Sequence, residues 1–537
     1  MYTQEKTVIF VRHTSLRYSK YMKNITLRTH RILAILIFSG IGFVLAYYAA
    51  HAMLFSSDNA AVILMAKDVL HGNIFLKHWW IPSDNFLTLD VVLLLPFTLI
   101  HGVSSLALRE AAATSIALVL FAGLYLATLG SKSREDIWLR AIILFGMTGP
   151  VSFFFYSSLL NIPTHVVTVF VLLLVFALWE RYQRHARTGW ILAAAIISAL
   201  AIFGDPLFVF VGSLPLLILN GIASYKGLDW KSTAAYTVYS QLLAVGVGLW
   251  SQGVAIKNGL HLVDVPSQIG DIDSMIIRLK FTITLLLNTF TANFFDHQLY
   301  KGATLSLLLD SLKAIALVTL VVVVTRALRT RHKTDSLSSL LALVCVIDFL
   351  AYVTSSYVVG LGAERYLFPG IFCGGILVAR LLPSYLTSYY MKGAVVALVL
   401  LSTYNVQADV VVARKSQDAI TNPYPGLAGI LEGHHVTNGY ATYWNASSVE
   451  LAAQGNITVE PINWSGTAGV VTPYDWQTKG SNFTQPAQFL IVQDDEVTPE
   501  TSFYPTLGAP VAKVPYLDFT VYIWNKDISH TVHGGTD

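Results

Sequence analysis

Charged residues are scarce in this sequence. Only 12% of its 537 residues are Asp, Glu, Lys or Arg, whereas 54% are hydrophobic and the mean hydropathy is +0.57. Because soluble domains carry about 25% charged residues, most of this chain belongs in lipid. Only two cysteines are present, Cys345 and Cys373, and both lie in apolar stretches. This scarcity excludes a disulfide framework and a thiolate metal site.

A large surplus of basic charge is also missing. The formal net charge is +3, and the basic residues lie in short scattered loops rather than on one stripe. Nucleic-acid-binding proteins concentrate basic residues on a face, so no nucleic-acid partner is predicted. The first 31 residues are too long and too mixed for a cleaved signal peptide. The apolar run after them is long enough to span a membrane, and we expect it to be retained.

Eleven apolar stretches predict an all-α polytopic membrane domain over residues 32–406, preceded by a cytoplasmic segment, 1–31. A spanning helix needs about 20 apolar residues. The predicted spans are Ile32–Leu54, Ala111–Leu129, Ile137–Ser157, Thr164–Trp179, Trp190–Phe203, Leu207–Ala223, Ala234–Val254, Thr304–Thr325, Leu340–Val359, Leu367–Leu382 and Gly393–Val406. A twelfth stretch, Leu87–Leu99, is too short to span and is predicted to be interfacial or re-entrant.

The positions of Lys and Arg give the predicted orientation. If Leu87–Leu99 does not cross, every arginine-rich loop falls on the side of the N-terminus, and such loops are cytoplasmic. The N-terminus is then inside, whereas the loop 55–110 and the tail after Val406 are outside. The external loops then contain most of the candidate site residues. The notable residues of these loops are Asp58, Asp84, Asp90, Asn161, His165, Asp205, Asp264, Asp271, Asp273, Asp296 and Gly362–Gly370.

The tail, residues 407–537, has the composition of a small water-facing α/β domain. It contains five basic and thirteen acidic residues. Its strand-like runs are NITVEPI, AQFLIVQ and FTVYIW, and its predicted helices are Pro425–Glu432 and Ser447–Gln454. In the external loops, Asp58–Leu70 and Ile272–Thr289 are predicted to be helices that lie in the membrane interface.

Three short motifs resemble the GT-C superfamily of membrane glycosyltransferases, which includes protein O-mannosyltransferases and the lipid A aminoarabinose transferase. They are an aspartate just after the first span (SSDNA), the loop sequence KHWWIPSDNFLTLDVVLLLPFTLIHG, and ERYLFPG at the start of a late span. The resemblance implies a sugar donor linked to polyprenyl phosphate and transfer on the external face. It also implies that Asp58 is the base or positions the acceptor. The chain departs from the family pattern at Asn59, and at Asn161 and His165, where acidic residues are common.

The chemistry of sugar transfer explains why these residue types are candidates. An attacking hydroxyl must lose a proton, which the Asp58 carboxylate can accept. The leaving phosphate gains negative charge, which the Arg365 guanidinium can bind through two parallel hydrogen bonds. Alternatively, Asp58 only caps its helix, a task that Ser56 or Ser57 could perform instead. Arg365 could instead anchor its span at the lipid headgroups or pair with Glu364.

Further substrate-binding candidates are Tyr366, Asp84, Asp90, Asp205 and His165. Asp84 and Asp90 could equally be loop or cap residues, and Asp205, which precedes a proline, could belong to a turn. Asp348 lies in mid-span and is interpreted as structural. Asp271 and Asp273 form a D-x-D pattern, but a metal site there is not favoured. Tyr440, Tyr443 and Trp444 are interpreted as a core aromatic cluster, and YDWQ (Tyr474–Gln477) is given no role.

The preferred hypothesis is a metal-independent glycosyltransferase of the inner (plasma) membrane with no cofactor. Its partners are a lipid-linked sugar donor and a glycan, lipid or protein acceptor. One alternative is a lipid-sugar flippase or transporter, which would need charged residues deep in several spans and two similar halves. Another is an oligosaccharide polymerase or ligase that uses a lipid pyrophosphate donor.

Overall fold

The structure, a computed structural model, describes most of the chain. The described residues are 2–149, 152–227, 231–263, 268–293, 295, 303–330, 335–356, 358, 360–419, 422–465, 470–494 and 504–532. Two of the predicted external acids, Asp264 and Asp296, lie outside these residues.

Helices dominate up to residue 419. The helices there are α1 (Tyr2–Ala50), α2 (Ser57–Leu70), α3 (Val92–His101), α4 (Ser105–Thr128), α5 (Arg134–Thr148), α6 (Phe153–Leu160), α7 (Val166–His185), α8 (Thr188–Gly204), α9 (Leu214–Gly227), α10 (Thr233–Lys257), α11 (Ile272–Thr289), α12 (Ala303–Arg329), α13 (Ser336–Thr354), α14 (Phe368–Leu381) and α15 (Tyr389–Ala419). A 3₁₀ segment, Leu361–Leu367, leads into α14.

Seven helical segments within the described residues are long and apolar enough to cross a membrane, so the chain is a multi-pass membrane protein. They are Ile25–Ala50, Ser105–Thr128, Val166–His185, Val209–Gly227, Ser336–Thr354, Ala363–Ser384 and Tyr389–Ser416. Large apolar side chains on several helices are exposed, which suits contact with lipid; examples are Leu36, Val44, Leu243, Trp250 and Leu400. Each predicted span coincides at least partly with an observed helix, but crossing by all eleven stays a prediction.

The third predicted span is wrong in its continuity. The chain forms α5 and then α6 instead of one helix over Ile137–Ser157, and the helix ends at Thr148. The sequence Gly149-Pro150 follows, and a residue before proline is disfavoured in the α conformation. The segment Leu87–His101 is an apolar helix that is shorter than the seven long segments, as the sequence suggested. Its first turn, Leu87–Val91, is a π-helix. Its interfacial or re-entrant placement stays a prediction.

Helix α2 occupies a more buried place than predicted. Its residues Ala60–Ala66 are buried all round, because α3 covers one part and the tail domain covers another. Of the apolar residues that suggested an interfacial helix, Val62, Leu64 and Met65 therefore pack inside the protein, whereas Leu70 is exposed. Helix α11 has the predicted bounds, and half of its large apolar side chains are exposed.

The tail forms an α/β domain, as the sequence predicts. Its elements are α16 (Tyr424–Gly433), α17 (Tyr443–Ala452), α18 (Tyr504–Leu507) and strands β3 (Asn438–Ala441), β4 (Thr458–Ser465), β5 (Val470–Pro473), β7 (Phe489–Gln493), β8 (Ala512–Tyr516) and β9 (Phe519–Ile523). The strand order is β5-β4-β3-β7-β9-β8, with β3 parallel to β4 and β7 and the other pairs antiparallel. Helices α16 and α17 bury one apolar face of this sheet.

A second, small sheet joins the tail to the membrane domain. Strand β1 (Trp79–Pro82) comes from the loop after α2, and β2 (His261–Val263) follows α10. Strand β6 (Thr478–Lys479) belongs to the tail and pairs antiparallel with β1. This pairing fixes the tail above α2.

Candidate active site

The start of α2 leaves Asp58 free of capping duty. Ser56 is the N-cap residue, and it donates from its backbone nitrogen (2.7 Å) and its Oγ (3.0 Å) to Asn59 Oδ1. The Asn59 amide nitrogen donates to the carbonyl of Ile162, which ties the helix start to the loop before α7. Asn59, a departure from the family pattern, is therefore explained by local structure.

Asp58 and Arg365 line the same cavity. This cavity, called here the Asp58 cavity, has a volume of about 110 Å³. It lies between the start of α2, the loop before α7 and the 3₁₀ segment before α14. Its lining residues are Ser56, Asp58, Asn59, Ser158, Asn161, Pro163, Thr164, Glu364 and Arg365. The predicted base, Asp58, and the predicted phosphate ligand, Arg365, thus line one cavity.

Arg365 has hydrogen-bonding capacity to spare. Its Nε is buried and has no hydrogen-bond partner in the part of the chain that the structure describes. Its guanidinium carbon lies 5.4 Å from the centre of the Tyr366 ring. Glu364 accepts a hydrogen bond from Ser158 Oγ, and no ion pair joins it to Arg365 within the described residues. The predicted alternative of a Glu364–Arg365 salt bridge is therefore wrong.

A buried histidine–aspartate pair adjoins this cavity. His165 Nδ1 lies 2.6 Å from Asp205 Oδ2, which also accepts from Thr168 Oγ1 at 2.6 Å. Burial lowers the pKa of His165, but the Asp205 carboxylate outweighs it and raises that pKa above its usual value. Burial raises the pKa of Asp205, but His165 and the hydrogen bonds bring it below its usual value. The pairing therefore favours the charged form of both groups.

Asp205 has the predicted turn role, whereas its predicted contact with substrate stays a prediction. Its Oδ1 accepts from the backbone nitrogen of Leu207 at 3.0 Å and so forms the turn that the following proline suggests. Its Oδ2 holds His165. The His165 ring lies 4.9 Å from the Tyr366 ring and 5.4 Å from the Phe86 ring, measured between centres. Tyr366 is therefore the contact between the His165–Asp205 pair and Arg365.

Asp84 and Asp90 belong to the second group rather than to the Asp58 cavity. Burial raises the pKa of Asp84 to about 6, and His165 and Arg365 act against that rise. Asp90 is buried in the π-helical turn, and its Oδ2 has no partner among the described residues. The sequence-predicted site residues therefore form two adjacent groups, one around Asp58 and Arg365 and one around His165 and Asp205.

The tail domain supplies site residues that the sequence interpretation missed. The Tyr443 hydroxyl donates a hydrogen bond to Asp58 Oδ1 and lies 3.4 Å from Gln477 Oε1. The Tyr474 ring packs on the Tyr443 ring at 4.8 Å. Burial, followed by the Asp58 carboxylate, raises the pKa of Tyr443 above its usual value, so the phenol stays protonated and donates.

The aromatic cluster of the tail is only partly as predicted. Tyr440 is buried in the core, but Tyr443 reaches Asp58 and Trp444 is exposed. The YDWQ stretch, to which no role was given, contributes Tyr474 and Gln477 to the contact with Tyr443. The closely spaced aromatic and amide residues of the tail are a pattern that could have suggested a binding surface. Nothing in the sequence, however, places them over α2.

Two other acidic residues have structural partners. Asp271 is the N-cap of α11 and accepts from Ser274 N (2.9 Å) and Ser274 Oγ (2.7 Å). Asp348 Oδ2 accepts from the backbone nitrogen of Gly370 at 2.8 Å, near the start of α14. A Cβ at Gly370 would lie 2.7 Å from that oxygen, so only glycine fits. Within the described residues, no group of three or more His, Cys, Asp or Glu side chains could hold a metal ion.

Comparison with known proteins identifies the fold. No protein-family model and no curated protein sequence matches the chain. Among solved structures, ArnT from Cupriavidus metallidurans in the apo state matches 91% of this chain and 97% of its own, with 12% identity and a TM-score of 0.59. The same protein bound to undecaprenyl phosphate gives the same coverage and identity and a TM-score of 0.56.

The chain has an ArnT-like fold. Since the unmatched tenth of the chain is shorter than the tail, the likeness to ArnT extends into the tail domain as well. A third solved structure, the arabinosyltransferase EmbB from Mycobacterium smegmatis, covers 78% of this chain and 42% of its own at 15% identity and a TM-score of 0.34.

Proposed function

We propose that this protein is a membrane glycosyltransferase that moves a monosaccharide from a polyprenyl-phosphate donor to an acceptor hydroxyl. The observation that carries the proposal is the shared cavity of Asp58 and Arg365 at one end of the membrane helices. Transfer is proposed to occur on the external face, with the N-terminus in the cytoplasm. The GT-C, ArnT-like fold supports the donor class, because one of the similar structures holds undecaprenyl phosphate.

A separate apolar cleft, lined in part by residues that closely follow Arg365 in the chain, suits the lipid part of such a donor. It has a volume of about 250 Å³ and is lined almost entirely by apolar side chains of α11, α12, α13 and α14. Leu367 and Ile371 line it, and Arg365 precedes them on the same segment. We propose that a prenyl chain in this cleft places its phosphate next to the Arg365 guanidinium. The apolar chain would then contact apolar side chains, and the charged phosphate would contact a positive charge.

The proposed reaction is a direct displacement at the anomeric carbon. The acceptor oxygen forms a bond to that carbon, and the bond between the carbon and the phosphate oxygen breaks. The acceptor proton passes to the Asp58 carboxylate, and polyprenyl phosphate leaves with the electron pair. A positioned base contributes about 10²–10⁴-fold to such a step. Arg365 stabilises the charge that grows on the leaving phosphate.

The second residue group is proposed to support the donor side of the site. Tyr366 packs between His165 and Arg365, so the charged His165–Asp205 pair helps to hold the guanidinium and the sugar near it. The carboxylates of Asp84, Asp90 and Asp205 are proposed to accept hydrogen bonds from the hydroxyl groups of the donor sugar. No metal ion or cofactor is invoked for the transfer.

The alternative of a flippase lacks support in the described spans. The carboxylate deep in the membrane domain, Asp348, holds the start of α14 and is not free to bind cargo. The alternative of a lipid-pyrophosphate donor would use the same cavity. A comparison of donors with one and two phosphates separates it from the preferred proposal.

The decisive experiment is turnover of the purified protein in lipid nanodiscs. We expect it to release polyprenyl phosphate from a polyprenyl-phosphate monosaccharide when membrane extract supplies the acceptor. Asp58→Asn should lower this rate by at least 100-fold, because the variant cannot accept the proton. Asp271→Asn is the matched control, since it changes an external N-cap aspartate outside the cavity. Parent-like turnover by Asp58→Asn, with a normal unfolding temperature, would overturn the assignment.

A further inference from the structure

A second polar cavity lies between the membrane domain and the tail. This interdomain cavity has a volume of about 170 Å³ and is lined by Asp68 and Trp79 on the membrane side. On the tail side its walls include Ser447, Glu460 and Gln477. It is larger than the space of a single water molecule, about 30 Å³. It is therefore large enough for a small polar ligand.

The charged groups of the interdomain cavity are already paired with the protein. Lys479 Nζ lies 2.9 Å from Asp68 Oδ1, and Lys67 Nζ donates to the Gly455 carbonyl at 2.7 Å. Glu460 accepts hydrogen bonds from Thr478 and Asn482. A charged ligand would have to displace these partners, which is costly for buried ions. The cavity therefore favours an uncharged ligand.

Uncharged hydrogen-bonding groups, in contrast, remain open. Ser447 and Gln477 are both more than nine-tenths buried and both line the cavity. Gln477 Oε1 lies 3.4 Å from the Tyr443 hydroxyl, which donates its proton to Asp58, and the hydrogen bonds among the described residues include none from Gln477 Nε2 or Ser447 Oγ. Polar groups in a largely enclosed wall need partners, so these two donors point to a ligand that offers hydroxyl oxygens.

Glu450 adds a carboxyl group of unusual character at the same wall. It lines the cavity and accepts from the Val459 backbone nitrogen at 3.3 Å. Burial raises its pKa to about 8, so most of the population is protonated at pH 7. A protonated carboxyl both donates and accepts hydrogen bonds. Sugar hydroxyls, which also do both, are complementary to such a wall.

We propose that the interdomain cavity binds a neutral, hydroxyl-rich sugar ring of a glycan acceptor. This inference rests on the proposed glycosyltransferase activity and names the acceptor class for it. The cavity lies further along α2 than Asp58, and Lys67 is about 13 Å from Asp58 at 1.5 Å per residue. Gln477 and Tyr443 form the wall between the two cavities.

The separation between the cavities decides which sugar of the acceptor sits there. Asp58 does not line the interdomain cavity, and the Tyr443–Gln477 wall separates the two cavities, so a ring held there is not the one that reacts. It would be a neighbouring ring of the same chain, whose distal hydroxyl reaches Asp58. The acceptor is therefore an oligosaccharide or polysaccharide rather than a protein side chain or a bare lipid.

The test is saturation-transfer NMR on the full-length protein in nanodiscs, which detects weak sugar binding. The probes are neutral hexose trisaccharides, a trisaccharide of amino sugars and a trisaccharide of uronic acids. We expect saturation transfer to one or more neutral probes and little to the charged ones. Saturation of only the charged probes, or of no probe, overturns the proposal.

Two cavity variants and a matched control locate the binding. Ser447→Ala and Gln477→Met each remove one uncharged hydrogen-bond donor. Each should lower the affinity for the neutral trisaccharide by about 3- to 10-fold. Ser448→Ala is the control, because Ser448 is the next residue of α17, is buried and does not line the cavity. Equal affinity in parent, Ser447→Ala and Gln477→Met would place the probe elsewhere and overturn the proposal.

Failure of this inference is distinguishable from failure of the proposed function. Donor consumption that depends on Asp58, together with no glycan binding that depends on Ser447, removes only the interdomain subsite. Glycan binding that depends on Ser447, without any consumption of lipid-phosphate sugar, leaves the subsite and removes the transferase.

Discussion

The two ends of α14 place an arginine in opposite situations. Arg365 stands just before the helix and Arg380 near its end, about 22 Å away at 1.5 Å per residue. Both are largely removed from solvent. Arg380 is fully engaged with the protein, whereas Arg365 faces a cavity and keeps an unpartnered nitrogen within the described structure.

At the Arg380 end, the guanidinium closes the ends of two other helices. It donates to the carbonyls of Leu126 (2.6 Å) and Leu129 (3.2 Å), where α4 ends. It also binds Asp335 (3.0 Å), the N-cap of α13, and Ser338 (3.1 Å). Every polar group at a helix end needs such a partner. This arginine therefore holds the fold together.

At the Arg365 end, several buried polar atoms have no hydrogen-bond partner among the described residues. Buried atoms without one in the described residues include Arg365 Nε, Glu364 Oε2, His165 Nε2 and Asp90 Oδ2. Native proteins leave few buried polar groups unpaired. The contrast between the two arginines teaches that one guanidinium keeps a nitrogen available to a ligand, whereas the other uses its nitrogens to hold helix ends together.

The largest expected effect is on stability, at Arg380. Arg380→Met keeps the length of the side chain but removes the charged hydrogen bonds to the Leu126 and Leu129 carbonyls, to Ser338 and to Asp335. We expect a loss of about 3 kcal/mol in the free energy of unfolding, measured by denaturant titration in detergent. Donor binding should stay normal in the folded fraction. A loss below about 1 kcal/mol would break the comparison.

The second effect is on binding, at Arg365. Arg365→Met should lower the free energy of unfolding less than Arg380→Met does, because Nε of Arg365 makes no bond to the described protein and its guanidinium contacts mainly Tyr366. Affinity for the polyprenyl-phosphate sugar should fall by about 10- to 100-fold, since hydrogen bonds to charged groups contribute about 1.5–3 kcal/mol. Donor binding is measured by a radiolabelled filter assay. Arg365→Lys should recover part of the affinity, because it keeps the charge but not the planar fork.

The sequence predicts much of this contrast but not all of it. The apolar runs locate the helices, because membrane insertion acts on local composition, whereas the orientation that the Lys and Arg counts give stays a prediction. Asp58 and Arg365 are predictable from the chemistry of a lipid phosphate and from short motifs. Their common cavity depends on how α2 and α14 pack, and no local pattern encodes that packing.

The contribution of the tail is the part that sequence patterns do not predict. Tyr443 and Gln477 look like ordinary residues of a small α/β domain, and they reach Asp58 only because β6 pairs with β1 across the domains. Such pairing joins segments almost 400 residues apart. Likewise, α2 looks interfacial because its covering partner comes from the far end of the chain.

The smallest expected effect concerns the His165–Asp205 pair and is visible as a pH dependence. The pKa of Asp205 is lowered in the fold, so its stabilisation is lost as the pH falls through that value. The pKa of His165 is raised, so its stabilisation is lost as the pH rises through it. The pair therefore stabilises the protein most between the ordinary aspartate and histidine values, roughly pH 4 to 6.5.

Asp205→Asn keeps the hydrogen-bonding shape but removes the charge that holds His165 protonated. We expect it to lower the free energy of unfolding by about 1 kcal/mol near pH 6, with a smaller loss at pH 9. Unfolding of parent and variant across this pH range measures the difference. An equal loss at both pH values would mean that the pair acts through its hydrogen bond alone. The pair would then be one more neutral contact between helices. Arg365 alone would then distinguish the first end of α14 from the second.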